Sequence, residues 1–257
     1  MSYKIGLIGM IGEELKADRW GTLQRMAELG YQGIEGSMLV SDDKDAMKAN
    51  RQRMEDLGLE TVALACSQYK EEELGQAIEN AKILGATYIV TYWADPESKD
   101  ETLQLAEQLE RMAAACAGEG LQYLYHNHEH EFVPKFGEKG HECIWELLYD
   151  NTEKLEFELD VAWCTFGGSD PVTVIRRCGH RIPVLHVKDL SDLNIRGHFC
   201  AVGTGKVNCF GAIEAAAVQG AEWMVVEQDK PGYLTHYESA TASILNIREA
   251  GLHPGQG

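Results

Sequence analysis

The sequence predicts an α/β protein built as a single (β/α)8 TIM barrel, and three observations carry that expectation. Eight short β-prone runs recur along the chain, separated by polar loops and amphipathic helical patterns. No linker or break in composition divides the series. At 257 residues the chain has the length of one such barrel, so residues 1–257 are read as one domain.

Residues 3–8 (YKIGLI) form the first strand, and the helical pattern RWGTLQRMAELG (19–30) ends on Gly30. QGIEG (32–36) is the second strand, and ETVALA (60–65), entered after Gly58, is the third. EEELGQAIENAKILG (71–85) is helical and stops at Gly85, which leads into the fourth strand, TYIVTYW (87–93). In DETLQLAEQLERMAAACAGEG (100–120), Leu103, Ala106, Leu109, Met112 and Ala113 fall on one helical face before Gly120. LQYLYH (121–126), LEFELD (155–160), PVLHVKD (183–189) and EWMVVE (222–227) complete the eight. Glycine just past each helix is the usual stop, because it adopts the left-handed backbone that ends a helix. Strands separated by helices require right-handed crossovers and a parallel sheet. A doubly wound open sheet is the alternative, but no glycine-rich phosphate turn follows the first strand.

Bulk composition narrows the partners. The chain is 44% hydrophobic and 25% charged, with a formal charge of −18, which argues against nucleic acid. No run approaches the ~18 apolar residues of a membrane span, and MSYKIGLIGM lacks a secretory apolar region. The seven cysteines are scattered without a CxxC pair, so neither a disulfide framework nor a thiolate zinc site is expected. A cytoplasmic location is the resulting expectation, and homo-oligomerisation is left open.

The chemistry-bearing residues gather at one end. The two longest connections, HEHEFVPKFGEKGHE and LSDLNIRGHFCAVGTGKVN, follow the fifth and seventh strands, on the face where barrel enzymes place their sites. His126 closes the fifth strand, Asp160 the sixth and Glu227 the eighth, while His186 lies near the end of the seventh. A lone aspartate there is usually a helix cap, and a lone histidine usually a hydrogen-bonded core residue. One metal-capable group on each of four consecutive strands is harder to explain that way. Mixed imidazole and carboxylate ligation suits one divalent ion, Mn²⁺, Zn²⁺, Co²⁺ or Mg²⁺. Alternation places His128 with His126, and Lys188 with His186, over the mouth and within reach of a substrate. An ion pair with a site carboxylate is the other reading of Lys188.

The chain resembles the sugar phosphate isomerase/epimerase superfamily, the xylose isomerase-like barrels that include inosose dehydratases, hydroxypyruvate isomerases, ketose 3-epimerases and endonuclease IV. The resemblance runs through GIE (33–35), YHNHEHEF (125–132), LDVAW (159–163), GGSDPV (167–172), LHVKD (185–189), GTGKVN (203–208) and VVEQD (225–229). It implies a metal held by Glu, Asp, His and Glu from the last four strands, with Asp160, His186 and Glu227 in the last three places. The first place departs from that pattern. Either His126 is the ligand, which its fixed strand-end direction favours, or Glu131 folds back from the loop to supply a carboxylate. Ketose epimerases of this type use two metal-bound glutamates, and only Glu227 stands at its expected place. That shifts the expectation toward an isomerase, dehydratase or lyase with a histidine acid/base. Trp163 stands where endonuclease relatives carry a histidine, so nuclease activity is set aside.

The implied chemistry is proton removal beside a carbonyl, giving an enediolate from a sugar, keto-sugar or inositol-type polyol. Glu227, His128 and Glu131 are the proton-transfer candidates, Lys188 would stabilise the enediolate oxygen, and Glu35 would accept a substrate hydroxyl. Trp93 and Trp163 either stack on the sugar or simply pack. A small neutral or weakly charged substrate is expected rather than a sugar phosphate. The glycines of GTGKVN, with Lys206, could cradle a phosphate, but EQDKPGYLTHYES is acidic. A catalytically silent sugar-binding or partner barrel is the alternative, and it would be expected to lose one of the four strand ends.

Overall fold

The first strand, Lys4–Ile8, pairs in parallel with Trp223–Glu227 on one side and Gly33–Ile34 on the other, joining the two ends of the series. The computed structural model describes residues 3–66, 69–137, 141–230 and 232–254. Tyr88–Tyr92, Gln122–His126, Glu156–Asp160 and Val184–Val187 continue the wall, each parallel to the next. Nine strand segments make eight barrel positions, because the third is split. Glu60–Thr61 pairs with the second strand and Ala63–Ala65 with the fourth. Val62, between them, donates its N–H to the Ile34 carbonyl at 3.0 Å, so the wall passes the break without opening. Among the described residues, the barrel wall is left with no free strand edge.

The glycine stops behave as expected. Gly30, Gly58, Gly85 and Gly120 all have positive φ, between 70° and 108°. The helix Lys99–Gly118 departs in detail from its expected face. It buries Leu105, Ala106, Leu109, Met112, Ala113 and Cys116, while Leu103 lies on the flank. The 3.6-residue period carries Leu105 and Cys116 inward together with Leu109 and Met112.

Two apolar layers fix the barrel. One lies between wall and helices. The other fills the interior below the site, with Trp223, Tyr88, Leu124 and Val225 packed across the axis. Glycine at position 33 makes this possible, because a Cβ there would sit 2.5 Å from the Trp223 ring. With the lower interior plugged, the cavity is left at the C-terminal ends of the strands. There the loop after the fifth strand holds a 3-10 turn, His130–Phe132, and a bridge between Phe136 and Glu142; residues 138–140 lie outside the described residues. The loop after the seventh strand folds back as an antiparallel pair, Asp189–Leu190 with Phe199–Cys200. All seven cysteines are free. Among the described residues, no helix is long and apolar enough to cross a membrane.

Candidate active site

Strand register decides which side chains meet. His126 is paired with Glu158, and Asp160 with His186, across adjacent strands. His126, Asp160, His186 and Glu227 each offer a donor atom within 4.8 Å of the others. Three of the four, His126, His186 and Glu227, line a cavity of about 260 Å³ together with Glu35, His128 and Glu158, and Asp160 is buried behind them. Asp160 does two jobs with two oxygens. Its Oδ1 accepts from the Trp163 N–H at 2.9 Å and caps the helix Val161–Phe166, while Oδ2 turns to Lys188. Asn127, fully buried, accepts the Asp160 N–H at 2.9 Å and holds that strand end in place.

Lys188 does not stand over the mouth. It is fully buried, with Nζ 2.9 Å from Asp160, 2.8 Å from Glu227 and 2.7 Å from Asp229. Its alternation with His186 is as expected, but three carboxylates draw the ammonium into the wall of the site. Glu131 is also away from the cluster. Its carboxylate accepts from the Tyr125 hydroxyl and from the His128 N–H, both at 2.8 Å, and lies 3.4 Å from His130. Glu35 does reach the site, with Oε2 2.9 Å from His186 Nε2. His128 packs its ring edge against Trp93, centroids 4.5 Å apart, and its buried Nδ1 has no hydrogen-bond partner among the described residues. Trp93 is 51% exposed at the mouth, whereas Trp163 is buried beneath Lys188 and Arg196 and packs on Phe199.

The electrostatics separate the acids. Burial, and then the charge of Glu158, push the Glu35 carboxyl up to about 7. Burial acts upward on Glu158 too, but His186 and His126 outweigh it and hold that carboxyl at about 2. Glu227 is likewise held well below the usual range, burial being overcome by Lys188 and His186. His128 is pushed down to about 2 by burial, then by His126 and Lys188, so its imidazole is neutral. The group poised near neutrality is therefore Glu35 rather than His128.

Three residues that shape the candidate site are not among those expected from the sequence. Glu158 faces the site from the sixth strand, two residues before Asp160 and on the same side; the acid–x–acid alternation of LEFELD was its signal. Asp229 reaches Lys188 from the loop after the eighth strand, and nothing in the sequence marks that return. Asp189 fills the turn made by GTGKVN. It accepts the N–H groups of Gly203, Gly205 and Val207 at 2.8–3.1 Å, together with that of Leu190.

The donor set fits a divalent cation. Among the described residues, Glu35, Glu158, Asp160, Glu227 and Asp229 face one ammonium and two imidazoles, and Glu158 Oε1 is buried with no hydrogen-bond partner. Buried negative charge in excess of its partners is costly unless a cation offsets it. Two imidazoles with carboxylates are ligands such an ion takes.

A closed parallel barrel with imidazoles and carboxylates converging at its C-terminal mouth defines the class. Within it the chain belongs to the xylose isomerase-like TIM barrel family, whose profile matches residues 23–249. It is 26% identical over 270 aligned residues to an inosose dehydratase of Geobacillus kaustophilus, spanning 88% of this chain and 84% of that protein. Among solved structures it is similar to a sugar phosphate isomerase/epimerase from Parabacteroides distasonis, with a TM-score of 0.81, 23% identity and coverage of 98% and 96% of the two chains. It is also similar to the IolI protein with a bound zinc atom, with a TM-score of 0.75, 17% identity and coverage of 98% and 100%.

Proposed function

We propose that this chain is a divalent-metal-dependent enzyme acting on an unphosphorylated keto-sugar or inositol-type polyol, by isomerisation, epimerisation or dehydration. The convergence of His126, Asp160, His186 and Glu227 carries the reading, and these four would hold the ion. When bound, the ion supplies Lewis-acid polarisation of a carbonyl, which acidifies the neighbouring C–H. Glu35, with a carboxyl near neutrality, is placed to exchange that proton, and ionised Glu227 is a second acceptor on the cavity wall. Neutral His128 serves as a hydrogen-bonding partner for a substrate hydroxyl. Lys188 balances the charge of Asp160 and Glu227. Glu131 takes no part in the chemistry and acts by fixing the loop.

The absence of a phosphate on the substrate has its own support. The backbone N–H groups of GTGKVN that could cradle an anion already bond the Asp189 carboxylate. Among relatives is an inosose dehydratase, and dehydration by loss of a β-hydroxyl follows from the same proton removal.

The test is metal analysis of the purified protein, followed by NMR in D₂O with inososes and keto-sugars. One equivalent of divalent metal and metal-dependent deuterium wash-in, or water loss, are expected. A metal-free protein that does not bind added Mn²⁺, Zn²⁺, Co²⁺ or Mg²⁺ would sink the proposal. So would a clear preference for phosphorylated substrates over their matched unphosphorylated forms.

A further inference from the structure

Glu158 is almost completely buried, 1% exposed, and no strand-end pattern accounts for it. One of its oxygens, Oε2, lies 3.0 Å from His126 Nδ1 and 3.2 Å from His186 Nε2. Glu35 reaches the same His186 Nε2 at 2.9 Å. A carboxylate oxygen only accepts, so both of those ring nitrogens carry their protons. An imidazole can give a metal only the nitrogen that carries none, and an acceptor on the opposite nitrogen decides which one that is.

We propose that Glu158 is the positioning residue of the site, a single carboxylate that orients both imidazoles and leaves His126 Nε2 and His186 Nδ1 as the ligand nitrogens. This rests on the metal-dependent reading above. His186 Nδ1 lies 3.0 Å from Glu227 Oε2 and by the same rule is protonated when no ion is present; an ion held by Glu227 would displace that proton, because Glu227 belongs to the four-residue set and Glu158 does not. The shared oxygen couples two strands, because His126 enters from the fifth, His186 from the seventh, and Glu158 from the sixth between them. Rotating either ring would break its bond to a buried acceptor.

Glu35, Glu158 and His186 also lie close enough to hold an ion of their own. An ion there would take His186 Nε2 as its ligand and displace the proton that faces Glu35 and Glu158, in place of the Nδ1 proton that faces Glu227. The same experiment separates the two arrangements.

Wild type, Glu158→Gln, Glu158→Leu and Glu156→Gln are titrated with Zn²⁺ against a chromophoric chelator, and the Co²⁺ forms are compared by visible absorption. Glu156 is on the same strand toward the opposite end of the barrel and serves as the control. Wild type and Glu156→Gln are expected to bind one equivalent with equal affinity and the same Co²⁺ spectrum. Glu158→Leu should bind about 10–100-fold more weakly with an altered spectrum. Glu158→Gln keeps an accepting oxygen but loses the charge, and should fall between them. Equal affinity and spectra in wild type and Glu158→Leu overturn the proposal, as do two equivalents in wild type with one lost on replacing Glu158. If Glu158→Leu does not fold, Glu158→Gln decides: affinity and spectrum both identical to wild type overturn it. A wild type that binds no metal overturns the functional reading itself, and with it this one.

Discussion

Replacing Lys188 with methionine removes the one ammonium that Asp160, Glu227 and Asp229 share. The three contacts, 2.9, 2.8 and 2.7 Å, are not equivalent, because the side chains are 0%, 16% and 35% exposed. Asp229 can turn to solvent when the ammonium is gone, but Asp160 cannot. Removing one partner of a buried pair costs about 3–5 kcal/mol, since the other charge is left without compensation. With Asp160 fully exposed to that penalty and Glu227 mostly so, a loss of about 4 kcal/mol is expected for the metal-free protein. Methionine matches the length of the stem, so the loss reports charge more than volume. A divalent ion should restore part of it, because an ion at ~100 times its dissociation constant contributes about 2.7 kcal/mol. Recovery should be larger in the variant than in wild type, where the ammonium competes for the same carboxylates. Urea unfolding followed by tryptophan fluorescence, in EDTA and in Mn²⁺, measures both effects. Equal midpoints for the two proteins in EDTA, or equal gains on adding Mn²⁺, would refute the account of Lys188.

Glu156 gives a pH effect far from the site. Burial, and then Glu222, raise its carboxyl to about 7, so the protonated form is favoured in the fold. Its contribution is complete below the unfolded value and is lost as pH rises through 7; solvent reaches much of the group, which limits the loss to about 1 kcal/mol. Glu156→Gln should abolish that loss in melting curves taken from pH 4 to 8, and an unchanged pH profile would count against it. Asp189→Ala should destabilise the protein by about 2–4 kcal/mol, because buried N–H groups lose their acceptor, and inorganic phosphate should recover part of the stability. No phosphate effect on the variant's midpoint would disprove a vacated anion cradle. Trp93 has φ 64°, a left-handed backbone for an aromatic residue at the cavity mouth. Trp93→Asn should gain about 1 kcal/mol by relieving strain, while KM rises through loss of the ring; a destabilised variant with unchanged KM would contradict both halves.

Much of the fold was legible because its signals are local. Short β-prone runs, amphipathic periods and stopping glycines each follow from the residues beside them. The four strand ends were legible for the same reason, since a strand's direction carries its last side chain to one face. What was illegible depends on distance. Asp229 matters because a loop folds back onto the seventh strand. Asp189 matters because four backbone N–H groups turn toward it, three from a segment 14 or more residues later. Lys188 could be placed on the right side of its strand, but only the facing carboxylates show that it lies within the wall. Glu158 is legible in principle, by parity with Asp160, but two positions before the strand end it carries no end-of-strand signal.

The segment YHNHEHEF shows why counting ligand-type residues overstates a metal site. Its three histidines have three different surroundings. His126 enters the converging cluster, and His128 lines the cavity with its ring against Trp93. His130 donates from Nε2 to the Ala94 carbonyl at 3.0 Å. Tyr125 donates to Glu131 and accepts the Ala94 N–H at 3.0 Å, so both polar groups of Ala94 are held by the motif. Ala94 directly follows Trp93, and a strained backbone persists only where its surroundings overdetermine it. The buried carboxylate of Glu131 thus anchors a network that ties the fifth-strand loop to the end of the fourth strand. Half of the motif lines the candidate site, and the other half builds the wall that supports it.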